Sequence, residues 1–176
     1  MKTTFIYITV CILVFSSKIS IAANLTTQST TSGEWSNNAI WNNGTPGYII
    51  NNNSIITIKA GHTITSNNMI SSSGTNTITM YIYGSLTING NIESKNNVTI
   101  TIFNGGSLII NGNIIVKNNS TITINSISEV TVNGTIEGIN NNIITGSGIL
   151  NSNGVTGFDM SSFNGSLLIE LVSFTA

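Results

Sequence analysis

The 176-residue chain contains no arginine, one histidine, one proline and one cysteine, and only 6% of it is charged. Each shortage removes a class of protein. Without clustered positive charge nothing can neutralise a phosphate backbone, so a nucleic-acid partner is excluded on electrostatic grounds. The cysteine, Cys11, has no partner for an intramolecular disulfide, so the fold must rest on burial and backbone hydrogen bonding. A single histidine and thinly scattered carboxylates give no ligand cluster for a metal, and no motif calls for a cofactor. Long apolar runs are also missing after Phe15, since Asn, Gly, Ser or Thr interrupts each one within a few residues.

The beginning of the chain differs from the rest. Lys2 precedes an apolar stretch from Phe5 to Phe15, and a short polar segment then closes on Ile21, Ala22 and Ala23. This is the layout of a cleavable secretory signal peptide over residues 1–23, with an apolar middle too short to span a bilayer. Cleavage near Ala23 would leave a secreted protein, extracellular or attached to the cell surface from outside, and not an integral membrane protein. Lys59, Lys95 and Lys117 then face Glu34, Glu93, Glu129, Glu137, Asp159 and Glu170, a net charge of 3 − 6 = −3. Asn, Ser and Thr supply the polarity instead. Disorder is excluded by regularly placed Ile, Leu and Val, enough apolar surface to offset the entropy of ordering.

That regularity is an internal repeat. SLTINGNI begins at Ser85, SLIINGNI at Ser107 and EVTVNGTI at Glu129, each start 22 residues after the last, and one step back lies TITSNNMI from Thr63. A second strand travels with it: IITIKAGH from Ile55, TITMYIYG from Thr77, TITIFNGG from Thr99 and TITINSIS from Thr121. Inside the repeat apolar residues alternate with polar ones, the period of a strand. A shortened copy starts at Ile143. The pattern predicts an all-β fold, a parallel β-helix (β-solenoid) of about five 22-residue coils, right-handed by the general rule for parallel crossovers. The coils should occupy residues 55–155, between an N-terminal cap over 24–54 and a C-terminal cap over 156–176. Trp35, Trp41 and Pro46 in the first cap, and Phe158, Phe163, Leu167, Leu168 and Phe174 in the second, are the bulky residues expected to cover the open ends.

Equivalent residues should form columns. Ile64, Leu86, Leu108 and Val130 make one apolar column, and Ile70, Ile92, Ile114 and Ile136 another. Ile56, Ile78, Ile100 and Ile122 make a third at simple 22-residue spacing. Asn67, Asn89, Asn111 and Asn133 should form an amide ladder at a bend, with the glycine after three of them expected to supply positive φ.

The stretch GEWSNNAIWNNGTPG, Gly33 to Gly47, followed by IITIKAGHTIT from Ile55 to Thr65, resembles the opening of G8-type domains and related β-helical modules of secreted bacterial surface proteins. Gly33, Trp35, Trp41, Gly44, Pro46, Ile56, Ile58 and Gly61 carry the likeness. The resemblance implies an extracellular β-helix of the kind associated with cell surfaces or polysaccharide.

Catalytic residues are hard to find. Glu93 and Glu137 share a column two coils apart, about 9–10 Å by strand spacing, but no further acid or arginine supports them. His62 follows Gly61 at a bend and lacks the partners of a triad. No catalytic site is expected. Two surfaces remain as candidates. Tyr81, Tyr83 and Phe103 lie close together, with Tyr81 and Phe103 at equivalent positions of the repeat, the makings of a stacking platform for a sugar. Thr77 and Thr79, Thr99 and Thr101, and Thr121 and Thr123 repeat a T-x-T pair on successive coils, a grid resembling the ice-binding face of solenoid antifreeze proteins. N-glycosylation sequons are no more frequent than 28 asparagines predict. The leading expectation is a non-enzymatic structural or adhesive protein of the cell surface or matrix, with carbohydrate or a surface protein as partner. The alternatives are an ice binder and a degenerate polysaccharide-active enzyme.

Overall fold

A computed structural model of the protein describes residues 24–169. Residues 1–23, where a signal peptide is expected and where Cys11 lies, and Glu170 and Phe174 at the other end, are outside the described residues. A lead-in consists of β1 (Leu25–Gln28), β2 (Gly33–Glu34), a short 3-10 helix (Asn38–Ile40) and β3 (Ile49–Ile50). Five coils follow. The first holds β4 (Ser54–Ile58), β5 (Thr63–Ser66) and β6 (Ile70–Ser72), and the second β7 (Ile78–Ile82), β8 (Ser85–Ile88) and β9 (Ile92–Ser94). The third holds β10 (Val98–Ile102), β11 (Ser107–Ile110) and β12 (Ile114–Lys117); the fourth opens with β13 (Thr121–Ile124) and β14 (Glu129–Val132). The long β15 (Ile136–Gly146) turns the corner from the fourth coil into the fifth, which continues through β16 (Ile149–Ser152) and β17 (Val155–Asp159). A last strand, β18 (Ser166–Ile169), lies on β16.

Strands three apart in sequence pair in parallel, falling to two apart at the last coils because β15 serves two faces, and this makes the chain a three-sided β-solenoid. The first face runs β1-β4-β7-β10-β13 to the end of β15, and the second β2-β5-β8-β11-β14-β16-β18. The third runs β3-β6-β9-β12 to the start of β15 and then β17. Inward side chains stack into aliphatic columns. Ile64, Leu86, Leu108, Val130 and Leu150 are in register on the second face, and Ile70, Ile92, Ile114 and Ile136 on the third, all buried. Each such side chain contributes about 1.5–3 kcal/mol on leaving water.

The first face departs from simple 22-residue spacing. In β7, Ile78 pairs with Ser54 and Val98, while Met80 is the residue that stacks between Ile56 and Ile100. Thr79, rather than Thr77, is therefore level with Thr99, and Tyr81 is level with Thr101. The cause lies in the corners. Five residues, 73–77, separate β6 from β7, whereas three, 95–97, separate β9 from β10; the corner after β7 is shorter by the same two residues. Thr77 belongs to the long corner, where its amide and hydroxyl both donate to Asn53 Oδ1 at 2.9 and 3.1 Å.

The glycines of the Asn-Gly corners have a different role from the one expected. Gly90, Gly112 and Gly134 are not among the residues with positive φ. A β-carbon at Gly112 would instead sit 2.7 Å from the Gly90 carbonyl oxygen, and one at Gly134 2.7 Å from that of Gly112. Glycine lets one coil's backbone descend onto the next.

Trp35 and Trp41 close the N-terminal end. Their rings meet edge to face at 5.3 Å, and both indole N–H groups donate inward, Trp35 to Gly47 O at 2.9 Å and Trp41 to Trp35 O at 2.8 Å. The lead-in is thus itself a small irregular coil with a strand on every face. At the other end Phe158 and Phe163 pack partly against the core. Leu167 and Leu168, expected to help close it, stand exposed on β18, because every position of that strand faces solvent.

The corner from first to second face is a four-residue turn at Lys59–His62, Phe103–Gly106 and Asn125–Ser128, each closed by a backbone hydrogen bond from fourth residue to first. The third residue has positive φ in all three: Gly61, Gly105 and Ile127. Ile127 adopts φ 56° with 81% of its surface exposed, a conformation costing a β-branched residue about 1–2 kcal/mol with no burial in return. Ile127→Gly should therefore stabilise the protein by about 1 kcal/mol, seen as a higher urea midpoint at unchanged slope; a lower midpoint would show that Ile127 makes contacts that outweigh the strain.

Candidate functional site

The asparagine column sits at the bend between the second and third faces. Asn89 Nδ2 donates to Asn67 Oδ1 at 2.9 Å, Asn111 to Asn89 at 2.7 Å and Asn133 to Asn111 at 2.7 Å. The chain of amides ends at a carboxylate, since Asn67 Nδ2 donates to Glu34 Oε1, and it begins with Asn153, whose Nδ2 donates to the Asn133 carbonyl at 2.8 Å. All these donors point down the stack. Aligned amides polarise one another, and an acceptor-only group is the natural terminus for such a series. Similar bonds recur around the third face: Asn140 Nδ2 donates to Asn118 Oδ1 at 3.0 Å, and Asn91 Oδ1 accepts from Asn113 N at 2.9 Å.

Outward positions of the first face form two columns. One holds Thr26, Ile55, Thr79, Thr99, Thr121 and Ile143, the other Gln28, Thr57, Tyr81, Thr101, Thr123 and Thr145. No residue of these six rungs is charged. Among the described residues, the hydroxyls of Thr26, Thr57, Thr79, Thr99, Thr101, Thr121 and Thr123 have no hydrogen-bond partner, whereas Thr145 donates to Ser162 O at 3.1 Å. The result is a narrow sheet of free hydroxyls and methyl groups, complete as T-x-T only on β10 and β13. Neighbouring rungs lie about 4.8 Å apart.

The aromatic residues meet, but not as equivalents in the expected order. Tyr83 and Phe103 are the stacked pair, with centroids 4.0 Å apart and planes within 7°, and Tyr81 meets Phe103 edge to face at 6.0 Å. The two-residue shift of β7 brings Tyr83 level with Phe103, each donating its amide to the coil below. Stacking turns one face of each of those rings onto the other, so the pair is first of all a contact between coils. Tyr81 belongs to the threonine face, level with Thr57 and Thr101.

The acidic and basic residues do not assemble. Glu93 and Glu137 share a column with Ile115 between them, and each is tied to its own coil: Glu93 accepts from Asn91 Nδ2 at 2.8 Å and Glu137 from Thr135 Oγ1 at 2.7 Å. Lys95 and Lys117, on adjacent coils, line a shallow groove of about 360 Å³ together with Glu93. Asp159 is held below the ordinary carboxylate range by the backbone N–H of Ser161, which donates to it at 2.9 Å, the wrong direction for a proton donor near neutral pH. Among the described residues no group of three His, Cys, Asp or Glu side chains could hold a metal ion.

One partnership was invisible in the sequence. His62 Nδ1 lies 2.8 Å from Ser29 Oγ, which also accepts the Lys59 amide at 3.0 Å. A serine beside a histidine suggests a nucleophile and its base, but Ser29 is fully buried and the imidazole has no carboxylate to orient it. The contact joins the lead-in to the first coil. Its 33-residue separation lies outside the repeat, so no periodicity could have revealed it. Lys59 itself is exposed at that corner.

The chain has no significant match among protein-family models, curated proteins or solved structures. No family model supports the resemblance to G8-type modules read from Gly33 to Thr65.

The ladder can be probed by a change of one atom. In Asn111→Asp the group facing Asn89 Oδ1 is an oxygen instead of N–H, so two acceptors meet and a hydrogen bond becomes a repulsion, costing about 1–3 kcal/mol. Repulsion raises the folded-state pKa of the new carboxyl above its unfolded value. The loss is then full at neutral pH and shrinks as pH falls through the folded-state pKa, where the protonated acid regains a donor. Urea unfolding at neutral and acidic pH checks both; wild-type stability at neutral pH would contradict the ladder.

Proposed function

We propose that the protein is a secreted, non-enzymatic structural or adhesive component of the cell surface or matrix, which binds neutral carbohydrate through its first face. The observation that carries this reading is the six-rung, charge-free face with seven unengaged threonine hydroxyls. Every rung but the last offers a hydroxyl free to donate and accept beside methyl groups, the pairing needed by a sugar ring with its own hydroxyl rim and apolar C–H surface. Tyr81 adds an aromatic group in the same column. The absence of charge favours an uncharged polymer, because a polyanion would find no cation on this face. The likeness to G8-type modules and the arrangement of residues 1–23 support an extracellular setting. A non-enzymatic role is supported by carboxylates tied to their own coils, with no nucleophile exposed beside a base.

A second reading, an ice-binding face, is favoured by one specific feature: Thr99, Thr101, Thr121 and Thr123 form a complete two-by-two lattice on adjacent strands. Retention on insoluble neutral glucans and on chitin, with alginate as the anionic comparison, tests the first reading. Retention on the neutral polymers should fall by about tenfold in a Thr101→Lys, Thr123→Lys double variant, which buries two unpaired charges against the ligand, and should be unchanged in Glu93→Gln. No retention on any glycan, or retention indifferent to the lysines, would refute it. Thermal hysteresis in the wild type, lost in the same double variant, would assign the face to ice.

A further inference from the structure

Seven Asn-Gly steps occur among the described residues, and Asn-Gly is the sequence most prone to spontaneous deamidation, because glycine has no side chain to hinder attack by its own nitrogen. The fold treats these steps very differently. In the ladder, Asn89 and Asn111 are held at both Nδ2 and Oδ1 by the coils on either side. Asn133 donates to Asn111, its carbonyl accepts from Asn153, and the following Gly134 amide is engaged by Gly112 O at 3.0 Å. Asn43 and Asn153 donate their side-chain amides to backbone carbonyls, both at 2.8 Å. Asn164 makes no side-chain hydrogen bond, but Gly165 is pressed onto Gly148, whose oxygen would lie 2.0 Å from an added β-carbon.

Asn104 alone of the seven combines every kind of freedom. It is exposed, its side chain has no hydrogen-bond partner, and Gly105 beside it has φ 82° with open space where a β-carbon would project. The two residues protrude from a turn whose ends are fixed: Gly106 N donates to Phe103 O at 2.7 Å, and Ser128 Oγ donates to the same oxygen at 2.7 Å.

We infer that Asn104 is a spontaneous modification site, converted to aspartate and isoaspartate in the folded protein while the ladder asparagines are protected. The reaction needs only water. Base removes the Gly105 amide proton, the nitrogen attacks Asn104 Cγ, the Cγ–Nδ2 bond breaks and Nδ2 leaves as ammonia. Water then opens the cyclic imide at either carbonyl, giving aspartate or, with one more backbone carbon, isoaspartate. No electrons are transferred. The corner has room for both products, and the new carboxylate lies next to Phe103 in a chain of formal net charge −1. For Asn89 or Asn111 the same rotation of the side chain must first break two hydrogen bonds, which slows it by at least about tenfold.

Peptide mapping by mass spectrometry after incubation in mildly alkaline buffer tests this. Aspartate and isoaspartate should accumulate at position 104 at least about tenfold faster than at 89, 111 or 133. In the urea-unfolded chain the ladder positions should lose that protection and convert at rates comparable to position 104. Equal rates at 104 and 111 in the folded protein, or the same rate at 111 folded and unfolded, would overturn the inference. In Asn104→Gln, the first acidic isoform on isoelectric focusing should disappear; its persistence would place the event elsewhere and equally overturn it.

Discussion

Everything in this molecule depends on adjacent coils lying in register at strand spacing on all three faces at once. Backbone hydrogen bonds supply that spacing along the strands, but the corners have to accept it too. At the bend from second to third face two residues do so together. Asparagine passes a hydrogen bond to the asparagine below, and glycine lets the carbonyl of the lower coil approach to within a distance no β-carbon allows. Isoleucine, leucine and valine then fill most of the enclosed volume in columns, and buried serines take some inward places, as in the column Ile50, Ser72, Ser94 and Val116.

Much of this was legible in the sequence. Ser85, Ser107 and Glu129 fixed the period, and the alternation after them fixed which residues point inward. The amide ladder could be read from Asn67, Asn89, Asn111 and Asn133, because the second face keeps the simple 22-residue spacing and identical residues at its end are level. The position of β7 could not be read. Side chains alternate with a period of two, so sliding a strand by two residues keeps every inward residue inward and leaves the pattern unchanged. TITMYIYG also begins like TITIFNGG, which invited the wrong alignment and put Tyr81 level with Phe103. Only corner length distinguishes the alternatives, and corners carry little periodic signal. The glycine role was missed for a related reason: positive φ and close approach both require glycine, and a sequence cannot separate them.

The three faces are chemically distinct although one repeat generates them. The third carries Glu93, Glu137, Lys95 and Lys117, and the second borders the amide ladder. The first carries no charge over six rungs. Natural sheets use charged residues to keep exposed surfaces from associating, and a face that omits them while its neighbour keeps them is the one we propose for a neutral, hydroxyl-rich partner. The aromatic cluster marks the margin of that face. Tyr83 and Phe103 tie two coils together, and Tyr81 stands among the threonines.

Disulfide trapping tests the stacking most directly, since no other cysteine occurs after residue 23. Cysteines introduced at Thr79 and Thr99, level neighbours on β7 and β10, would have Cα atoms about 5 Å apart and should join on mild oxidation. Cysteines at Thr77 and Thr99 would be about 8 Å apart and should stay reduced. Cross-linking of the second pair instead of the first would contradict the register described for β7, and cross-linking of neither would contradict the stack itself.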